Sequence, residues 1–494
     1  MQYISTRDKK NVKTASEAIL QGISDEGGLF VPERLPAFSQ QELLQLCAAD
    51  YVGRAEKVLE KFLGDFTVAE ISECVRAAYT GGKFEGELPA PLSRLGEECY
   101  LLELWHGPTC AFKDMALQLL PGLMTASARK NAVQQELVIL VATSGDTGKA
   151  ALEGFAGVPG VRVLVFYPRD GVSEMQKHQM RAQEGENVYV CAIEGNFDDA
   201  QSGVKKLFTD PAFAGRMARA GKRFSSANSI NFGRLLPQIV YYVSAYCDLV
   251  RDEELAMGEP LHVVVPTGNF GNILAAYYAK RMGLPIGRLV CASNRNHVLS
   301  DFLQSGVYDR NRAFYPSLSP SMDILISSNL ERLLFEAGGR EDAQVRSLMQ
   351  ALRETGRYTL PEEVHAAITR DFIGGFCDDG ETQAVIRSVY ARYSYLLDPH
   401  TAVAYGVYEK VRSQLPGKTV VVSTASPYKF AGSVCEALRI PTGEGLFSAT
   451  DALFAATGAA VPLPLERLRG RTDRFCESCT AGEMEGTCAR ILGL

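Results

Sequence analysis

The spacing of apolar positions along this chain changes near residue 97. Upstream, the stretches 16–20, 40–46 and 70–79 repeat their hydrophobic residues at helical intervals. Gly27, Gly28, Pro32 and Pro36 interrupt that segment, and Gly81, Gly82, Pro89 and Pro91 mark a boundary before the next unit. Downstream, short Val-, Ile- and Leu-rich runs at 137–142, 161–167, 262–266, 289–292 and 419–423 predict buried parallel strands. Helical patterns follow several of them, as at 273–282 and 431–438. The expectation is an α/β region with mostly parallel sheets over 96–494, preceded by a mainly helical N-terminal domain over 1–95. Residues 294–385 mix polar loops with helices at 329–336 and 343–354, and no internal repeat is evident.

Composition narrows the class. A length of 494 residues gives room for a large core and roughly two to four domains or lobes. A net charge of −7 points away from a nucleic-acid binder and still permits a local basic pocket for a small anion. The opening MQYISTRDKK has no apolar stretch of the secretory type. The most apolar long segment, 452–465, is cut by Gly458, Pro462 and Pro464, so no membrane span is expected. Twelve cysteines, many in apolar runs, read as reduced and structural in a cytoplasmic protein. Cys476 and Cys479 form a lone CxxC near Cys488; without a second half-site, no metal centre is expected.

The first candidate for chemistry is Lys113, within HGPTCAFKD at 106–114. It follows a tight run of small residues after an apolar segment. Desolvation there would disfavour the ammonium form and leave an amine able to act as nucleophile or base. The bland alternative is a lysine at a helix entry, paired with the adjacent Asp114.

Ligands of open α/β sheets bind beyond the carboxyl ends of strands. Three strand ends here are rich in hydroxyls, amides or glycines. TSGDTGK at 143–149 suits a carboxylate or phosphate at a helix start, or is simply capped by Ser144 or Thr147. It fails the P-loop pattern, because Thr143 and Ala150 stand where glycine and Ser/Thr are required. GNFGN at 268–272 can expose consecutive backbone N–H groups as an anion nest, with a helix expected from Ile273, or is only a tight turn. STASPYKF at 423–430 offers hydroxyls to a heteroaromatic nitrogen, or caps a helix with Pro427 in its first turn.

Taken together, HGPTCAFKD, TSGDTG, GNFGN, DPHTA and STASPYKF resemble the motifs of threonine synthases. So do GISDEGGLFVPE at 22–33 and SSNLERLLFE at 327–336, and the likeness runs to about residue 440. The resemblance is to the longer class of that family. It implies a two-lobed fold type II core that binds pyridoxal 5'-phosphate, with a smaller α/β lobe near 125–235. It also implies the conversion of O-phospho-L-homoserine and water to L-threonine and phosphate, in a monomer or homodimer. Related lyases of the fold, a serine/threonine dehydratase or a threonine-synthase-like phospholyase, are the alternative. A catalytically retired sensor or scaffold is another.

Carried over by motif, Lys113 would form the internal aldimine. Gly268, Asn269, Phe270, Gly271 and Asn272 would surround the cofactor phosphate, and Thr424 would face the pyridine nitrogen. Ser144, Asp146 and Thr147 would receive the substrate carboxylate, and Asn228, Ser229 and Arg234 its phosphate, with Lys149 as a helper or an exposed first-turn lysine. His106 and His400 are expected to be structural, the latter in a helix start with Asp398 as cap and Pro399 behind it.

Overall fold

A computed structural model describes every residue from 1 to 494 except Gly171 and the side chain of Asp198. Two parallel sheets dominate it. The larger runs, in spatial order, Phe372–Phe376, Ile286–Ser293, Leu261–Pro266, Thr419–Ser423, Cys99–Glu103 and Leu92–Arg94, and only the last pairing is antiparallel. The smaller runs Ser478–Thr480, Val188–Glu194, Val161–Pro168, Glu136–Ala142 and Lys222–Ser225, all parallel.

The continuous apolar runs arise because both faces of each sheet are covered. In the larger sheet, Val263, Val265, Val420 and Val422 enter one core, and the alternating Val264, Val290 and Val421 enter a second. In the smaller sheet, Leu137, Ile139 and Val163 share the first core, while Val138, Leu140 and Leu164 face a third. Each such side chain contributes about 1.5–3 kcal/mol by leaving water.

The five predicted strands all form, within one to three residues at their ends. Two features depart from the pattern. The N-terminal region carries the helices Ala15–Gln21, Gln40–Ala48, Tyr51–Phe62 and Val68–Tyr79, but a three-stranded antiparallel sheet of Gln2–Ser5, Val12–Thr14 and Phe30–Pro32 accompanies them. Strands of three or four residues are too short to show a period. These helices also join the central core: buried Arg54 reaches Asp248 Oδ1 at 2.6 Å and Leu46 O at 2.8 Å.

The second departure is at the other end of the chain. The strand Ser478–Thr480 returns to the edge of the smaller sheet, and the helix Met484–Leu492 covers it, so that lobe extends past residues 125–235. Cys479 and Cys488 are buried in this lobe, and Cys479 Sγ lies 3.6 Å from Cys191 Sγ. Among the described residues no helix is long and apolar enough to cross a membrane.

Candidate active site

Lys113 owes its position to the turn that precedes it. A Cβ on Gly107 would stand 2.6 Å from Asp114 Cβ, so only glycine lets the chain fold back there. Cys110 adopts a left-handed conformation, φ 57°, and its N–H donates to Gly107 O at 3.0 Å. Asp114 is buried and accepts from Thr109 N at 2.8 Å and Thr109 Oγ1 at 2.7 Å. Burial pushes its carboxyl up to about 6, against those hydrogen bonds. Asp114 therefore belongs to the turn, and the alternative Lys113–Asp114 pair is not found among the described residues.

Lys113, 8% exposed, points to Asp146 Oδ2 and Ser321 Oγ instead, each at 3.3 Å. Its pKa is lowered, first by burial. Asp146 opposes that shift, and the charges of Lys429 and Arg234 add to it.

The 423–430 segment lies alongside the turn. Phe112 N–H donates to Thr424 O at 2.8 Å and Ser426 N–H to Cys110 O at 3.1 Å, with Ala111 bridged to Ala425. Ser426 caps the short helix Pro427–Phe430 by accepting from Tyr428 N at 3.3 Å, with Pro427 in its first turn as expected. Thr424 is buried, and its hydroxyl has no hydrogen-bond partner among the described residues. Lys429, 1% exposed, donates to Thr109 O at 2.8 Å and reaches Asp146 Oδ1 at 2.7 Å.

Asp146 opens the helix Asp146–Phe155, whose cap is Gly145 at φ 135°. The capping role expected of Ser144 or Thr147 falls to Thr143, which accepts from Gly145 N at 3.0 Å and Gly148 N at 2.9 Å. The Ser144 and Thr147 hydroxyls are half-buried and have no hydrogen-bond partner among the described residues. Burial works against the Asp146 carboxylate, but Lys429 and then Lys113 hold it far below the usual carboxylate range, and Gln176 Nε2 donates to it at 2.9 Å. One expectation is narrowed: the Asp146 side chain, taken up by Lys429 and Lys113, offers no donor to a substrate carboxylate. In this loop only the two hydroxyls and the helix N–H groups can receive one.

Lys149 is also corrected. It is buried rather than exposed, and its ammonium is taken by Glu153 at 2.9 Å and by Gln183 Oε1.

After Leu261–Pro266, Phe270 adopts φ 63° and caps the helix Gly271–Arg281, two residues earlier than expected. Asn272 Oδ1 accepts from Tyr241 OH at 2.6 Å and Tyr242 OH at 2.5 Å. Its Nδ2 is buried without a partner among the described residues. An orphaned donor of this kind costs about 1–3 kcal/mol, so it marks a place for an acceptor.

Asn329 joins this loop to the 228–234 segment by donating to Asn269 O at 3.1 Å and Ser229 Oγ at 3.0 Å. Asn228 is half-buried, and its backbone N–H donates to Ser226 Oγ at 3.2 Å. Arg234 is 5% exposed and donates to Ala227 O at 2.8 Å. No carboxylate pairs with it among the described residues, and burial lowers it to about 10. A buried guanidinium without a carboxylate is a strong anion receptor in waiting.

Asp398 caps Pro399–Val411 by accepting from His400 N at 2.9 Å and Thr401 N at 3.3 Å, as the motif predicts. His400 Nδ1 meets Asp398 Oδ1 at 2.8 Å, and its Nε2 accepts from Ser321 N at 3.2 Å. His106 meets Glu103 Oε2 at 2.7 Å and stacks on Trp105. Sequence reasoning missed Ser321, Gln176 and Lys429. Lys429 was open to discovery, being the one cation in a strand-end loop already singled out.

Comparison with known proteins decides the family. Residues 85–426 match the model of pyridoxal-phosphate dependent enzymes, and residues 2–79 that of the threonine synthase N terminus. Threonine synthase of Pseudomonas aeruginosa is 39% identical over 438 residues, 88% of this chain and 90% of that one. The chain belongs to the threonine synthase family.

The structure of pyridoxal-phosphate-bound threonine synthase from Brucella melitensis superposes with a TM-score of 0.88 at 38% identity, covering 100% of this chain and 99% of that one. Human threonine synthase-like 1 is 39% identical over 97% of this chain, which spans 67% of that protein's length. The cofactor of this family is pyridoxal phosphate, which requires an amine, an anion cradle and a ring partner. The buried amine of Lys113, the orphaned Nδ2 of Asn272 beside a helix N-terminus, and the free hydroxyl of Thr424 fit those needs.

Proposed function

We propose that this protein converts O-phospho-L-homoserine and water to L-threonine and phosphate, in the cytoplasm, as a monomer or homodimer. The observation that carries the reading is Arg234. It is a buried cation with no carboxylate partner among the described residues, close enough for its charge to act on Lys113. A substrate that brings its own phosphate supplies the missing anion. The resemblance of the motifs and of the family relatives supports the same substrate.

In this reading Lys113 holds the cofactor. Gly268, Asn269, Phe270, Gly271 and Asn272 cradle the cofactor phosphate, and Thr424 meets the ring nitrogen. Pyridoxal phosphate, when bound, supplies a carbonyl for the amino group and a sink for electrons released at the α-carbon. Thr424, a hydroxyl rather than a carboxylate, tempers that sink. Ser144, Thr147 and the N–H groups opening Asp146–Phe155 receive the substrate carboxylate. Arg234, flanked by Asn228 and Ser229, grips the substrate phosphate through its planar fork. Lys113, released as a neutral amine, takes the α-proton and then moves protons at the neighbouring carbon. Phosphate leaves from the γ-carbon and water adds at the β-carbon.

A second reading is a phospholyase that releases phosphate without making threonine. Incubation of the pyridoxal-phosphate-loaded protein with phosphohomoserine separates the two. One threonine per phosphate supports the first reading, and phosphate without threonine supports the second. No phosphate release overturns both.

A further inference from the structure

Two lysine ammonium groups share one carboxylate at the centre of the molecule. Asp146 Oδ1 lies 2.7 Å from Lys429 Nζ, and its Oδ2 lies 3.3 Å from Lys113 Nζ. All three side chains are at least nine-tenths buried. The shorter contact belongs to Lys429. Lys429 is locked to Thr109 O at 2.8 Å, on the turn that builds the Lys113 position.

The charges around the pair explain why a second cation is needed. Lys113 faces Asp146, Lys429 and Arg234, with Ser321 Oγ as a neutral neighbour and His400, itself bound to Asp398, behind the Ser321 backbone. Lys429 faces Asp146 and acts on Asp114 and Cys110 of the turn, and Gln176 Nε2 and Ser321 Oγ are the remaining donors to Asp146 among the described residues. If Lys429 were absent, the Asp146 charge would be balanced by Lys113 alone. A lone carboxylate at 3.3 Å holds a lysine in its protonated form. With Lys429 present, the carboxylate is already neutralised, and Lys113 can shed its proton into a site that disfavours a second cation.

We infer that Lys429 is a positioning residue which sequesters Asp146 and so loosens that carboxylate's hold on the Lys113 proton. The inference rests on Lys113 being the reactive lysine of the proposed function, but it does not depend on the substrate. Its partner in the device is Asp146, which fixes the direction of the Lys113 amine while its charge is cancelled from the far side.

The test is the pH dependence of Lys113 acylation in the full-length protein stripped of pyridoxal phosphate. Trace acetic anhydride is the probe, and peptide mass spectrometry reads modification at Lys113. Because no substrate is present, failure of this inference is distinct from failure of the assigned reaction. Lys429→Met should raise the labelling midpoint by about 1–3 pH units relative to wild type. Lys429→Arg should restore it, because the charge is kept. Asp146→Asn should lower the midpoint, because Lys429 then faces Lys113 unbalanced. A purely structural Lys429 would leave the midpoint unmoved in Lys429→Met, and that result overturns the inference, as does equal displacement in Lys429→Arg. If Lys429→Met loses its circular-dichroism signature of folding, Asp146→Asn decides: an unchanged or raised midpoint overturns the inference.

Discussion

Replacing Arg234 by methionine should separate stability from binding. The side chain is 5% exposed, with one hydrogen bond, to Ala227 O at 2.8 Å, and no carboxylate partner. Losing a hydrogen bond from a charged donor costs about 1.5–3 kcal/mol. Relieving the burial of an unpaired charge returns a sum of the same order or larger, several kcal/mol per ion. Without ligand the two nearly cancel, so the variant should melt within a few degrees of wild type. With ligand they do not. Removing one partner of a buried, hydrogen-bonded charge pair costs about 2–5 kcal/mol. At about 1.4 kcal/mol per decade, kcat/KM for phosphohomoserine should therefore fall by about 30- to 4,000-fold. Thermal shift with and without inorganic phosphate, together with steady-state phosphate release, reads both quantities. The reasoning is refuted if the variant keeps kcat/KM within about threefold of wild type, a change under about 1 kcal/mol. It is also refuted if Arg234→Met unfolds the protein in the absence of any anion.

Two further predictions concern the scaffold. Burial raises the folded-state pKa of Asp114 from 3.8 to about 6, so the native protein binds a proton that the unfolded chain has released over that interval. Stability from this group is then present below about 4 and lost as pH rises to about 6. The difference in unfolding free energy between wild type and Asp114→Asn should accordingly shrink from pH 4 to pH 6, which denaturant titration at several pH values can check. At the lobe junction, Arg54→Met leaves Asp248 buried with its exposed neighbour Arg251, and should cost about 3–5 kcal/mol in urea unfolding without altering KM for phosphohomoserine.

The fold was legible wherever burial on both faces wrote itself into the chain. The runs at 137–142 and 420–422 are apolar throughout because neighbouring residues enter different cores. The strands Gln2–Ser5 and Val12–Thr14 were not legible, since so few residues carry no period. The return of Ser478–Thr480 to the smaller sheet is a pairing across nearly 300 residues, which no local pattern encodes. Within the site, loop chemistry pointed to Lys113 and the 268–272 turn, and the motif resemblance to Arg234. What the sequence could not convey was the sense of each side chain. Asp146 turned out to be an anion spent on two lysines, and Lys149 a buried partner of Glu153. Ser321 carried no signal at all. It reaches Lys113 because His400, some 79 residues away, holds its backbone.

The most direct test of the account is to find the amine that holds the cofactor. Three buried lysines, Lys113, Lys149 and Lys429, compete for that role. Loading the protein with pyridoxal phosphate, reducing it with borohydride and mapping the pyridoxyl group by peptide mass spectrometry names one of them. The account predicts modification at Lys113 and its disappearance in Lys113→Ala. A pyridoxyl group on Lys429 or Lys149 in the wild-type protein would contradict it.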